Sequence, residues 1–431
     1  MIPLSLDELA ALGPGRLEAA PWADEVTGVQ IDSRLIEEGD LFFAVGGGAD
    51  FTRHAFARGA AATLIPEDAF SELAALGSAV RSRSTARVVG ITGSTGKTST
   101  KDILAALCRP HARTVAAEGG QNNEIGLPLT LTRIEPDTEV VVCEMGMRGL
   151  GQIAELCAIA RPDVGLITSI GPVHLELLDT VERVAEAKAE VVAALPQGGV
   201  AVVPDEPLLA PYLTRDDIEI RRFYPDEVGA FELTDGGARI GFHLDGQDLE
   251  LDFPFTARYQ AQNALVALHA YRALGLPLDK AQVGAADVIL SRWRGEETEL
   301  PGGGLLINDA YNANPDSMIA ALAHLTERAG DRRRVAILGD MAELGPEGPG
   351  YHSLVLRSSQ SVSGLDALLA VGELAREYLV GPVPVKLWAA TAEEAITTAK
   401  ELVQPGDAVL VKGSRAVGLE VVAEALTKVH A

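Results

Sequence analysis

The residues best suited to joint chemistry sit in one stretch, Arg87 to Thr100, which reads R-V-V-G-I-T-G-S-T-G-K-T-S-T. Gly93, Ser94, Thr95 and Gly96 form a tight turn, and its glycines let backbone N–H groups face inward toward an anion. Lys97, Thr98 and Ser99 then open a helical segment, whose free N–H groups and dipole add positive potential. In such a cradle Lys97 would meet the β- and γ-phosphates of ATP, and Thr98 would offer its hydroxyl to Mg²⁺. The full phosphate-loop pattern would place a glycine where Ile91 stands; the shorter core G-x-x-G-K-T is intact. On the motif alone, an ordinary glycine-rich turn with a surface lysine is the alternative.

Further candidates follow apolar runs. Glu144 ends the run Glu139 to Cys143, and His174 follows Val164 to Ile170. Ligands of doubly wound sheets bind outside the carboxyl ends of strands, so both residues are placed to hold a metal beside the phosphate loop. A buried carboxylate also needs a cation. Asn122 and Asn123 lie in a polar, glycine-rich loop (118 to 126) fit for substrate contacts or for plain turn chemistry. Asn263, near the start of an alanine-rich helix, could read an adenine edge. Asp32-Ser33-Arg34 could hold an anionic or sugar group, or form a turn with a surface ion pair. Lys188 falls in A-K-A-E of a helical pattern and reads as helix surface.

The elements that must position these residues alternate strand and helix. Residues 1 to 84 read as a small α/β unit, with Ser78 to Arg87 as a polar linker. From 85 the pattern is a mostly parallel sheet, with 215 to 255 read as antiparallel hairpins added to it. Gly295 to Gly304 marks a second boundary. Five further short apolar runs follow, ending in Asn308-Asp309-Ala310-Tyr311-Asn312-Ala313-Asn314-Pro315, Gly339-Asp340-Met341, Gly372-Glu373 and Lys412-Gly413-Ser414-Arg415. That is a Rossmann-like unit with a polar rim and no G-x-G-x-x-G after its first strand. The fold class is α/β in three domains: 1–84, a central ATPase-like sheet at 85–294, and 295–431.

A chain of 431 residues is too long for one core. The net charge of −25 argues against nucleic acid and anionic membranes as partners. No apolar run approaches a membrane span, and Met1 to Leu12 lacks the basic start of a signal peptide. Three cysteines without metal-ligand spacing read as reduced core thiols, which predicts a cytoplasmic location.

Taken in order, Asp32-Ser33-Arg34, Gly93 to Thr98, Asn122-Asn123, Glu144-Met145-Gly146, His174, Lys188, Asn263, Asp309 to Pro315, Gly339-Asp340-Met341 and Lys412 to Arg415 resemble the Mur ligases. The Y-N-A-N-P and G-D-M-A-E-L-G stretches favour the MurF type within that family. The resemblance covers essentially the whole chain. It implies a UDP-sugar domain at 1–84, an ATP-binding domain at 85–294 and a C-terminal ligase domain at 295–431. It implies ATP-driven joining of D-Ala-D-Ala to the terminal carboxylate of UDP-MurNAc-tripeptide, in peptidoglycan precursor synthesis, by a protein expected to be a monomer. It further implies that Gly93 to Ser99, Asn263, Arg294 and Asp309 bind ATP. Asp32, Ser33, Arg34, Asn122, Asn123, Tyr311, Asn312 and Asn314 would meet the other substrates, and Lys97, His174 and Lys188 would serve catalysis. Two Mg²⁺ ions would rest on Thr98, Glu144, His174 and Lys188, the last as a CO₂-derived carbamate. Tyr259-Gln260 stands where the family usually has His-Asn, and Arg292 competes with Arg294 for the nucleotide-contacting position. Asp50 to His54 follows only loosely the family's Asp-Gly-His stretch. A sister amino-acid-adding or folylpolyglutamate-type ligase and a phosphate-loop NTP hydrolase remain the alternatives.

Overall fold

A computed structural model describes residues 1–358 and 364–428. Its centre is a six-stranded, fully parallel sheet. In sheet order the strands are Glu219–Phe223, Val200–Pro204, Val164–Ile167, Arg87–Thr92, Val140–Glu144 and Thr114–Ala116. Its inner strands are rich in β-branched residues and, Arg87 apart, buried, as a sheet covered on both faces demands. The phosphate-loop strand Arg87–Thr92 is interior, so its carboxyl end opens between neighbours. Register pairs Ile91 with Glu144 on one side and Thr92 with Ile167 on the other.

The two faces of this sheet are covered differently. One packs helices Lys97–Cys108 and Tyr259–Ala273 with a separate three-stranded antiparallel sheet, Val228–Thr234, Gly237–Leu244 and Gln247–Phe253. Residues 215 to 255 therefore do not simply extend the main sheet. Only Glu219–Phe223 joins it, in parallel; the hairpins have their own ladder, closed by apolar side chains such as Ile240, Leu251 and Phe253.

The other face shares one continuous core with the N-terminal unit. That unit is a four-stranded mixed sheet, Arg16–Ala19, Ala62–Ile65, Asp40–Phe43 and Gly28–Gln30. Its helix Ala69–Ser82 runs through the first half of the expected linker. Nε of Arg81 donates to the Ala160 carbonyl at 2.9 Å, and Leu73, Leu76 and Val80 are fully buried. A polar composition misread this stretch because apolar side chains of the helix are buried between its arginines and Arg81 reaches across the junction instead of into water.

The C-terminal sheet has the order Glu296–Leu300, Gly304–Asn308, Ala408–Lys412, Arg334–Gly339, Ala367–Val371 and Val385–Ala389. Only the first strand is antiparallel. The expected boundary loop at 295–304 thus holds an edge strand, with Glu296 and Glu299 exposed as charges on an edge that discourage further pairing. This sheet has its own cores on both faces, and it meets the central body chiefly through polar side chains. Among the described residues no helix is long and apolar enough to cross a membrane.

Candidate active site

The phosphate turn is built by backbone geometry. Gly93 and Gly96 have φ of 151° and 79°, a region that residues with a side chain rarely adopt. Helix Lys97–Cys108 starts at Gly96 with no side-chain cap, leaving its first N–H groups free for an anion. The turn is braced by the next strand end: the N–H of Thr95 donates to Oγ of Ser169 at 2.9 Å, and Oγ of Ser94 donates to the Gly171 carbonyl at 3.0 Å. Nζ of Lys97 curls back to the Gly93 carbonyl at 2.7 Å, and burial lowers its proton affinity.

Glu144 is buried at the end of its strand. Its Oε1 accepts a hydrogen bond from Nδ2 of Asn122 at 2.8 Å, while its Oε2 is buried without a partner. An ionised oxygen left this way is costly unless a cation meets it.

Lys188 departs from the sequence reading. It lies on the inner side of helix Val181–Ala193, 2 % exposed, not on its surface. Ala187 and Ala189 are buried beside it, and small neighbours hide a long side chain from pattern analysis. Burial, and then the Lys97 charge, push its ammonium well below the usual lysine range. No hydrogen bond or ion pair to Lys188 is present among the described residues.

His174 has φ 54° and begins the short helix Leu175–Leu178. Its Nδ1 pairs with Glu343, across the junction with the C-terminal body. Burial lowers its pKa against the opposing effect of Glu343, and the charges of Lys188 and Lys97 lower it further. Among the described residues no three His, Cys, Asp or Glu side chains form a ready cation cage. The orphaned Glu144 oxygen and the Thr98 hydroxyl are oxygen donors of the kind a hard ion takes, and both line the cleft; His174 and Lys188 do not line it.

Opposite the phosphate turn, the C-terminal body closes a cleft of about 330 Å³ lined by both bodies. Arg294 decides between the two arginine candidates. Its Nη2 donates to Oγ1 of Thr98 at 2.8 Å, and its guanidinium stacks 3.9 Å above the Tyr311 ring. Arg292 instead lies by Trp293, outside this cleft. Asp309 pairs with Nζ of Lys412 at 2.6 Å, and that nitrogen also donates to the Asn312 carbonyl at 3.0 Å. Asn263 lines the cleft and donates to Oε1 of Gln260 at 2.7 Å; the Tyr259 hydroxyl beside them is buried and unpaired.

Not every candidate reaches the cleft. Asp32 and Arg34 close on each other at 2.6 Å, and this pairing takes Asp32 down to about 2. Ser33 meets Nδ1 of His54 at 2.9 Å. All three lie in the turn that follows strand Gly28–Gln30 of the N-terminal unit. Asn123 accepts from the Gly126 N–H at 3.0 Å and stays outside the cleft, whereas Asn314 lines the cleft while its side chain caps helix Pro315–Ala329 by accepting from the Ser317 N–H at 2.9 Å. Asn122, Tyr311 and Asn312 do line the cleft. Sequence reasoning missed Thr168 and Ser169 behind the phosphate turn, Lys412 beneath Asp309, and Glu343. The polar pair Thr168-Ser169 after an apolar run was the available signal.

Two family models match the chain: the Mur ligase middle domain over residues 91–271, and the Mur ligase, glutamate ligase domain over 293–415. The UDP-N-acetylmuramoyl-tripeptide–D-alanyl-D-alanine ligase of Escherichia coli is 32% identical, over 99% of this chain and 99% of its own. This chain belongs to the Mur ligase family, MurF type. The equivalent ligase of Bacillus subtilis is 31% identical over 97% of both chains. Among solved structures, MurF from Acinetobacter baumannii superposes with a TM-score of 0.85 at 27% identity, covering 99% of each chain. MurF from Thermotoga maritima, in complex with ADP, superposes at 0.79 with 26% identity, covering 94% of this chain and 97% of its own. Membership in this family accounts for a phosphate turn on one body facing an arginine and an aspartate on another.

Proposed function

We propose that this chain is an ATP-dependent ligase that joins D-Ala-D-Ala to the terminal carboxylate of UDP-MurNAc-tripeptide, working as a monomer in the cytoplasm. The observation that carries the reading is the shared cleft. Gly93 to Thr98 and Glu144 on the central body face Arg294, Tyr311, Asp309 and Lys412 on the other side, in a chain alike over its full length to ligases of that name.

Amide formation from a free carboxylate needs activation. The tripeptide carboxylate oxygen attacks the γ-phosphorus of ATP, the bond to the β,γ-bridging oxygen breaks, and ADP leaves. The dipeptide amine then attacks the acyl carbon, phosphate departs, and the nitrogen loses a proton. Two anions must approach in the first step, so the site must supply positive charge. The free N–H groups after Gly96 and the Lys97 ammonium cradle the phosphates. Arg294 lies against Thr98 at the boundary between the central and C-terminal units and stacks on Tyr311 of the latter, so closure of the C-terminal unit holds its charge at the nucleotide. Tyr259, Gln260 and Asn263 form the wall for the adenine. Asn122, Tyr311 and Asn312 face the joining substrates, and Asp32, Ser33 and Arg34 belong to the 1–84 unit assigned to the UDP-sugar, with 85–294 and 295–431 as the ATP-binding and ligase units.

Mg²⁺, when bound, would neutralise phosphate charge; Thr98, Glu144, His174 and carbamylated Lys188 would hold two such ions. The unpaired Glu144 oxygen supports this, as does the burial of Lys188. Carbamate formation needs an uncharged amine, and burial without an anionic partner shifts Lys188 in that direction. The test is phosphate release with ATP, Mg²⁺ and UDP-MurNAc-tripeptide, with and without D-Ala-D-Ala. Release that needs both substrates, one ADP per pentapeptide, supports the ligase. Release indifferent to the dipeptide refutes the acceptor.

A further inference from the structure

One side chain of the C-terminal body touches a residue assigned above to the cation site. Glu343 pairs through its carboxylate with Nδ1 of His174. Its other oxygen lies 3.3 Å from Nε of Arg148, and its carbonyl accepts from the Glu176 N–H at 3.3 Å. All three partners belong to the central body. Glu343 therefore reaches across the junction with both side chain and backbone.

The loop that presents it is fastened from behind. The Met341 N–H donates to Nε2 of His352 at 2.8 Å, and Nδ1–H of that ring donates to the Gly348 carbonyl at 2.7 Å. His352 is fully buried, so these two bonds fix it as a neutral imidazole with one tautomer. The Ala342 N–H donates to Oγ of Ser414 at 2.8 Å, and Oδ1 of Asp340 accepts from the Ala375 N–H at 2.6 Å. Glu343 itself sits at φ 62°, a strained conformation that persists only where its surroundings over-determine it. Those fastenings come from the C-terminal body. The carboxylate is thus aimed by its own domain, and His174 receives it.

We propose that Glu343 is a positioning residue for His174. It holds Nδ1, so that Nε2 is the nitrogen presented to the cation, and it does so only when the C-terminal body rests against the central one. A carboxylate on the far nitrogen of a ligating imidazole fixes its tautomer and orientation and raises its basicity. Because that carboxylate here comes from another domain, closure and completion of the cation site are one event. The proposal rests on the reading of His174 as a cation ligand.

The experiment uses the full chain with ADP and Mn²⁺ as the probe, with free Mn²⁺ followed by electron paramagnetic resonance. His174→Ala should weaken Mn²⁺ binding. Glu343→Ala should weaken it about 10- to 100-fold, with no further loss in the double variant. Glu343→Gln, which keeps the shape and can still accept from Nδ1–H, should recover part of the affinity and guards against a folding defect in the alanine variant. Arg148→Ala removes the other partner of Glu343 and should leave Mn²⁺ affinity within about twofold. Wild-type Mn²⁺ affinity in both Glu343 variants, while His174→Ala is impaired, overturns the proposal and leaves the cation reading standing. Additive losses in the double variant also overturn it, because Glu343 would then act by another route. Unchanged binding in His174→Ala overturns the cation reading and this proposal together.

Discussion

Gly93→Ala measures what it costs to build the phosphate turn from this chain. Gly93 has φ 151°, and a methyl placed on it would overlap Oγ1 of Thr168 and stand 3.0 Å from Thr168 Cβ and N. Thr168 cannot step aside freely. It is buried, its N–H donates to the Thr92 carbonyl at 2.9 Å, and its hydroxyl donates to the Thr95 carbonyl. Two separate costs result: about 1–3 kcal/mol for a side chain in a glycine-only backbone region, and about 1–3 kcal/mol for overpacking. Their sum, about 2–6 kcal/mol, lowers the melting transition of a unit of 150–250 residues by roughly 4–24 °C, at about 2–4 °C per kcal/mol. The assay is thermal unfolding followed by near-ultraviolet circular dichroism, with and without ADP. The stabilisation by ADP should shrink too, because the Gly93 carbonyl also receives Lys97. Adding Thr168→Ala to Gly93→Ala removes the overlapping hydroxyl and should return the steric share but not the backbone share. Gly236→Ala, where no atom lies within 4 Å, is the control and should change stability by less than about 0.5 kcal/mol. Gly93→Ala melting with the wild type would refute the reasoning, and a Thr168→Ala that only deepens the loss would refute its steric half.

Lys97→Ala should cut turnover by at least about 10²-fold, the scale of losing one preorganised charge at a reacting phosphate; near-normal turnover would remove Lys97 from the phosphate site. Lys188→Met should hold or raise the melting temperature, since it deletes a buried amine without a partner. It should also abolish a carbamate resonance that ¹³C-bicarbonate gives in the wild type; a wild type lacking that resonance rules out the carbamate. Glu297→Gln tests the tie between the bodies. Burial pushes the Glu297 carboxyl up, but the His324 ring 3.2 Å away and hydrogen bonds from Arg328 and Thr256 outweigh it and hold the group at about 2, against an ordinary 4.5. The wild type's advantage, about 3 kcal/mol at most, should be complete above pH 4.5 and lost as pH falls toward 2. Denaturant unfolding at several pH values checks this, and an advantage that grows on acidification would reverse the assignment.

Much of the site was legible because its signals are local. A glycine turn between a β-branched run and a helix start announces a phosphate cradle wherever it occurs. Glu144 was found for the same reason: a carboxylate after five apolar residues lies at a strand's carboxyl end. Asn123 shows why loop asparagines are hard to read: its short polar side chain bonds its own backbone, at the Gly126 N–H, as readily as a ligand, and only hydrogen-bond geometry separates the two. The supposed linker failed because arginine content was taken for exposure, whereas Arg81 spends its guanidinium on carbonyls of the neighbouring body.

The sequence by itself determined the alternation of strand and helix, the phosphate turn, the strand-end Glu144 and the family, since each depends on residues adjacent in the chain or on motifs in order. Tertiary structure alone decided that Lys188 is buried without a counter-charge, that Arg294 and not Arg292 reaches Thr98, and that Glu343 meets His174 across 169 positions. Burial and charge pairing are properties of what surrounds a residue, and in a two-body cleft most of those surroundings come from elsewhere in the chain.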